Sequence, residues 1–192
     1  MSSELNKKKI SRYKKANLGC GNKKINKYIN IDNNKNCRPD MIIDLNKLPY
    51  PFKDNTFEEI YAHHVLEHLD RPMDIINEWY RVSKDKAILK IFTPHFSYNW
   101  QHPGHVSAIS SRLFNYFGTN SEDKEIYGKS KFKVRKIILR WMTNYSMNNP
   151  LVIISNKIIN YLANLNIKFT ERIWCYWVGG FEEIYFEVEV AK

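Results

Sequence analysis

Two glycines and an acid carry the first chemical signal in this chain. In the stretch ANLGCGNKKINKYINID, Ala16 to Asp32, a short apolar run enters a turn holding Gly19 and Gly21, and a second apolar run ends on Asp32. In a parallel α/β sheet the first strand delivers its turn to the carboxyl edge. There glycines let a ligand approach bare backbone, and the acid that ends the next strand can accept two ribose hydroxyls. A Gly-x-Gly turn is equally common as a plain turn, so both readings stand on these residues alone. Histidine supplies the second signal: His64, His95, His102 and His105 fall in the middle of the chain, and imidazole exchanges protons near neutral pH.

Further along, MIIDLNKLPYPFKDNTFEEIYAHHVLEHL, Met41 to Leu69, arrives where a third and fourth strand belong. Together the two stretches resemble the class I S-adenosylmethionine-dependent methyltransferases, of the methyltransferase type 11-like subgroup. The matching parts are LGCG at Leu18 to Gly21, Asp32, DLNKLPYPF at Asp44 to Phe52, DNTFEEIYA at Asp54 to Ala62, and VLEHL at Val65 to Leu69. The segment Thr93 to Phe117 is similar to a subgroup with Pro-His after the fifth strand followed by an Asp-Pro-Thr-His-like element. Here that element reads His102-Pro103-Gly104-His105, without the acid.

The resemblance runs from Tyr13 to Phe117 and implies a Rossmann-like seven-stranded sheet, mostly parallel, whose antiparallel last strand slots between the fifth and sixth. It implies S-adenosylmethionine as cofactor, with Gly19, Gly21 and Asp32 binding it, Asp44 and the backbone of Leu45 at the adenine, and His63 at the methionine part. Asp44 suits the cap of the following turn equally well. Transfer to a hydroxyl also needs a proton acceptor, for which His105, His95 and His64 are the candidates. Each of these histidines suits a structural hydrogen-bonding role as well. His64-Val65-Leu66-Glu67-His68 also matches the H-x-x-E-H zinc-protease signature. With three positions fixed in five and no downstream context for a third ligand, that reading is set aside, and no metal is assigned.

The elements that must position these residues follow from pattern. Strands are expected at Tyr13–Leu18, Tyr28–Asp32, Met41–Asp44, Phe57–Ala62, Ala87–Thr93, Phe132–Leu139 and Phe181–Val190. Asp32 follows Gly19 by 13 positions, fewer than the roughly 20 of a full dinucleotide-type unit, so the first helix is expected to be shortened. Leu48–Phe52, LPYPF, cannot be a helix interior and is expected to wall the pocket. Helices are expected to open at His64–Leu69, to run over Pro72–Ser83, with Met73, Ile76, Trp79 and Tyr80 facing the core, and to form at Ser107–Phe117 and Leu151–Leu165. The span 141–180, rich in Trp and Tyr, is expected to be an insertion before the last strand that serves as a substrate lid.

At 192 residues the chain is read as a basic N-terminal tail, 1–12, and a single domain, 13–192. Its three cysteines have no disulfide or metal-ligand spacing, and no stretch is apolar enough to span a bilayer, which points to the cytoplasm. A net charge of +10 invites a polyanion. The excess is mostly lysine spread along the chain, so a solvated face is favoured over a nucleic-acid or anionic-membrane partner. The expected acceptor is an oxygen or nitrogen of a small molecule or glycan. Two alternatives are a protein that modifies or binds RNA, and a non-catalytic module that keeps the fold for binding.

Overall fold

Apolar runs of four to seven residues, buried on both faces, build the centre of the sheet. β1 (Lys15–Leu18), β2 (Ile29–Asp32) and β4 (Phe57–His63) bury Leu18, Ile29, Ile31 and Ile60 almost completely, as parallel strands covered on both sides must. The computed structural model describes residues 13–117, 130–143 and 149–192. With β3 (Met41–Ile42), β5 (Ser83–Pro94), β6 (Phe132–Arg140) and β7 (Glu183–Val190), the strands form one seven-stranded sheet in the order β3-β2-β1-β4-β5-β7-β6. β7 runs antiparallel to both β5 and β6, and its alternating Ile184, Phe186, Val188 and Val190 are fully buried. α1 (Pro72–Val82) starts on a proline, which needs no N–H partner in the first turn, and buries Ile75, Ile76 and Trp79 against the sheet. Met73 and Tyr80 pack at the margin of the same core. The tail 1–12 lies outside the described residues.

The connection from β1 to β2 contains no helix at all. Residues 19–28 are turns and extended chain, so their backbone groups need partners that a helix would otherwise supply. Two buried asparagines provide them. Asn17 and Asn30 face each other across the β1/β2 register. The Asn17 amide donates to Asn30 Oδ1 at 2.9 Å and to the Lys23 carbonyl at 3.0 Å. Asn30 Oδ1 accepts the Ile25 N–H at 2.8 Å, while its amide donates to the carbonyls of Ile25 and Tyr28 and to Asp40.

Other expected elements differ for identifiable reasons. β5 begins at Ser83 because that residue pairs with Phe57. The register then jumps to Glu59↔Ile88, so that 84–87 form a bulge with Lys86 at φ 62°. His64–Leu69 makes only a single 3₁₀ turn, Leu66–His68, since His64 sits at φ 54° and Val65 is not helical. Ser107–Phe117 likewise forms no α-helix: a bridge at Ile109 is followed by turns and a single 3₁₀ turn at Leu113–Tyr116. Its first half is tied elsewhere: Phe96 N–H donates to the Ile109 carbonyl and Val106 N–H to that of Glu67. α2 (Pro150–Leu165) forms in the expected insertion, capped by Asn149, and is followed by helical turns through Trp177.

Replacing Asn30 by Ala removes the buried bond from the Asn17 amide and leaves the part-buried Ile25 N–H without its partner, so the variant should lose about 1–3 kcal/mol of stability. Urea denaturation of the two proteins measures this. A loss within experimental error would show that the loop does not depend on the pair.

Candidate active site at the carboxyl ends of the strands

The ends of β1, β2 and β4 open into a crevice of about 390 Å³ lined by Gly19, Gly21, Asp32, Asp44, Leu45 and His64, among others. Gly19 adopts φ 61° and Gly21 φ 46°, left-handed conformations that glycine takes without strain. Their surroundings differ. A Cβ on Gly19 would lie 2.2 Å from Val65 Cγ2, so this glycine lets the VLEHL segment pack against the turn. A Cβ on Gly21 would meet nothing within 4 Å, and the space beside it is free for a ligand. Asp32 is held in place by two backbone donors, Gly21 N–H at 2.7 Å and Asn34 N–H at 2.8 Å, one to each oxygen. Each oxygen keeps a further lone pair for an incoming hydroxyl. Asp44 both lines the crevice and caps its turn, accepting Asn46 N–H at 3.1 Å. LPYPF does not wall this cavity: Tyr50 lies behind it, donating its hydroxyl to the Leu45 carbonyl, while Glu78 and Arg81 of α1 clamp its backbone. A second cavity of about 670 Å³ shares Gly19, Gly21 and His64 and adds His63, Arg140 and Glu183.

A chain of ion contacts joins these cavities to a third, which is lined by His64, Tyr98, His102, His105, Thr143 and Glu182. His64 Nε2 lies 3.0 Å from Glu183 Oε2, and its Nδ1 lies 3.3 Å from Glu67 Oε1. Burial by itself would lower the His64 pKa, but the hydrogen bond to Glu183 and the charge of Glu67 outweigh it and raise the value to about 9. Glu183 is correspondingly held below the usual carboxylate range: its burial is outweighed by His64 and Arg140, the latter at 2.8 Å. Glu67 is fully buried, accepts the Thr93 hydroxyl at 3.2 Å, and through its own carbonyl holds Val106. That last bond brings the loop 102–106 against His68. His68, His102 and His105 cluster with ring centroids 4.6–5.5 Å apart, and each offers a possible ligand nitrogen within 4.8 Å of the others. Three imidazoles so placed are donors of the kind that hold a divalent ion.

Residues 17–91 match a family model described as a methyltransferase domain. Among solved structures, an S-adenosylmethionine-dependent methyltransferase from Archaeoglobus fulgidus superposes with a TM-score of 0.53 at 15% identity, covering 97% of this chain and 91% of that one. Another, from Mesorhizobium loti, gives 0.51 at 10% identity, covering 94% and 92%. The [4+2]-cyclase SpnF gives 0.55 at 13% identity, covering 98% and 81%. A search of curated proteins returned no match. The chain has the fold of the class I, S-adenosylmethionine-dependent methyltransferases. Its sheet order, with the antiparallel β7 between β5 and β6, is the arrangement expected from the resemblance.

Within this fold the three histidines named as proton acceptors separate. His95 is 0% exposed and lines none of the cavities described. Its Nδ1 bonds Ser97 at 2.7 Å and its Nε2 bonds Glu171 of the insertion at 3.2 Å, so it has no free nitrogen for an acceptor. His64 is an imidazolium at neutral pH and has no lone pair to take a proton. His105 lines the third cavity and contacts the Asn99 carbonyl through Nδ1 at 2.7 Å. A carbonyl only accepts, so Nδ1 carries the proton and Nε2 of the neutral ring bears the lone pair. His64 and His68, the two ligands of the zinc-protease signature, belong to separate clusters. Sequence reasoning missed the roles of Glu183 and Arg140, whose only signal was a charged residue at the end of each of two facing strands.

Because the folded pKa of His64 lies above its ordinary 6.5, its contribution to stability is fully present below about pH 6.5 and is lost as pH rises through about 9. An NMR titration of the His64 ring should therefore show a midpoint near 9, which Glu183→Gln should move downward. A midpoint near 6.5 in the unaltered protein would contradict the ion contacts.

Proposed function

We propose that this chain is a methyltransferase acting on an oxygen or nitrogen of a small molecule or glycan, holding S-adenosylmethionine in the crevice beside the glycine turn and the acceptor near His105. The observation that carries the reading is the open space at Gly21, set between Asp32 and Asp44 at the strand ends. When bound, the cofactor supplies an electrophilic methyl group on a sulfonium. The remaining work falls to the chain. Asp32, its plane fixed by two N–H donors, accepts the ribose hydroxyls. Asp44 and Leu45 border the adenine, and Gly19, Gly21 and His63 face the methionine part. Removal of a proton from the acceptor falls to His105 Nε2, with the Asn99 carbonyl holding the ring in the productive tautomer. Thr143, near the start of the insertion, and Glu182, just past its end, are bonded to each other and form one wall of the acceptor cavity. This position supports the insertion as the lid.

A second reading, a non-catalytic module on the same fold, is favoured by the missing first helix, which leaves fewer backbone N–H groups to meet a carboxylate. The likeness to a cyclase also bears on it, since one fold hosts several activities.

A methylation screen over sugars, small metabolites and RNA with labelled cofactor tests the reading. On a substrate so found, His105→Ala should lower kcat by about 10²–10⁴-fold and leave cofactor affinity unchanged. Asp32→Ala should instead weaken the cofactor. Tight cofactor binding with no turnover on any acceptor class would favour the module.

A further inference from the structure

α2 is mounted inside out. β6 is the last strand of the sheet, and its outer edge presents backbone groups that need cover. Three asparagines spaced four residues apart on α2 supply it. Asn164 accepts Leu139 N–H and donates to the Leu139 carbonyl, both at 2.8 Å. Asn160 accepts Trp141 N–H at 2.7 Å, and Asn156 donates to the Met142 carbonyl at 3.4 Å. The polar stripe of the helix therefore faces the protein, with only Ala163 buried beside it. The opposite face turns an apolar stripe to solvent: Leu151, 73% exposed, then Ile154, Ile158, Tyr161 and Leu165. After a break at Asn166, whose backbone is not helical, the following helical turns expose Phe169, Ile173 and Trp177, the last 85% exposed. Single exposed apolar side chains are ordinary, but a stripe along the whole of α2, followed by further exposed apolar and aromatic residues in the next helical turns, marks a surface that is covered in use.

The charges around the stripe select its cover. Pro150–Leu165 contains no acid. Lys157, Lys168 and Arg172 are exposed and lie in these same helical segments. Glu171 points inward and is taken up by His95 and Ser111. The chain as a whole carries +10. An apolar face of aliphatic and aromatic residues accompanied only by cations is the pattern of a helix lying in the plane of an anionic bilayer surface. Long basic side chains then reach back to the lipid phosphates. No helix among the described residues is long and apolar enough to cross a membrane, so the contact lies on the surface.

We propose that α2 and the turns after it dock on an anionic phospholipid bilayer through this stripe. Because Thr143 and Glu182, beside the two ends of the same insertion, line the acceptor cavity, docking also places that cavity beside the lipid surface. This last clause rests on the methyltransferase reading, and the docking itself does not.

Flotation of the full chain, without cofactor or acceptor, tests docking independently of catalysis. The probes are vesicles of phosphatidylcholine alone and of phosphatidylcholine mixed equally with phosphatidylglycerol. The protein should float with the anionic vesicles at low salt and much less with the neutral ones. The double variant Ile158→Glu, Trp177→Glu should bind about tenfold or more weakly, with an unchanged circular dichroism spectrum because both side chains are exposed. Failure of the unaltered protein to float would overturn the proposal. Equal flotation of the double variant would also overturn it, since the basic residues alone would then bind. So would a dimer in sedimentation that the double variant converts to monomer, because a second copy would then cover the stripe.

Discussion

The hydrogen bonding between Asn17 and Asn30 is the constraint on which the site depends. A chain that must leave β1, turn, and re-enter beside it at β2 within ten residues has no room for the usual helix. It must still satisfy the peptide groups of that turn away from water. Two side-chain amides placed opposite each other in the register do so, at the cost of polar groups inside the sheet, where each is worth keeping only because it is fully bonded. The result is a turn whose glycines stand at the strand ends with open space beside Gly21 and with Asp32 bonded directly to its N–H.

Glu67 plays the corresponding part on the other side of the sheet. A fully buried carboxylate is costly unless charge and hydrogen bonds meet it. Here His64 lies against one oxygen, Thr93 donates to the other, and the backbone of the same residue holds Val106. One residue thus fixes a cation between the cavities, ties the end of β5, and sets the loop that carries His102 and His105. The electrostatic consequence is a division of labour among the histidines. The one paired with two carboxylates stays charged, the one sealed against Glu171 fastens the insertion to β5, and the one facing a carbonyl keeps a free lone pair.

The strands were legible because each is an apolar run or an alternating one, and the antiparallel direction of β7 came from the resemblance, with its alternation in keeping. The glycine turn and the two acids were legible through their spacing. What was not legible came from competition for backbone groups. Ser107–Phe117 has helical composition, but the Ile109 carbonyl within it is taken by Phe96 N–H, and Val106 just before it donates to the Glu67 carbonyl. His64–Leu69 cannot wind because His64 takes a left-handed conformation beside the turn. The polar pair was visible as asparagine inside two apolar runs, a signal that takes meaning only once the register is known. α2 was legible as a helix but not in its orientation: the usual assignment of the apolar face to the core is reversed, because the edge of β6 needs hydrogen bonds more than the core needs another apolar surface.

The central claim is that a turn held by asparagines rather than by a helix still forms a nucleoside seat between Asp32 and Asp44. It is tested most directly by following the backbone amides by NMR while S-adenosylhomocysteine is added. The account predicts saturable shifts concentrated at Gly19, Gly21, Asp32, Asp44 and Leu45. Shifts confined to other surfaces, or none at millimolar ligand, would contradict it.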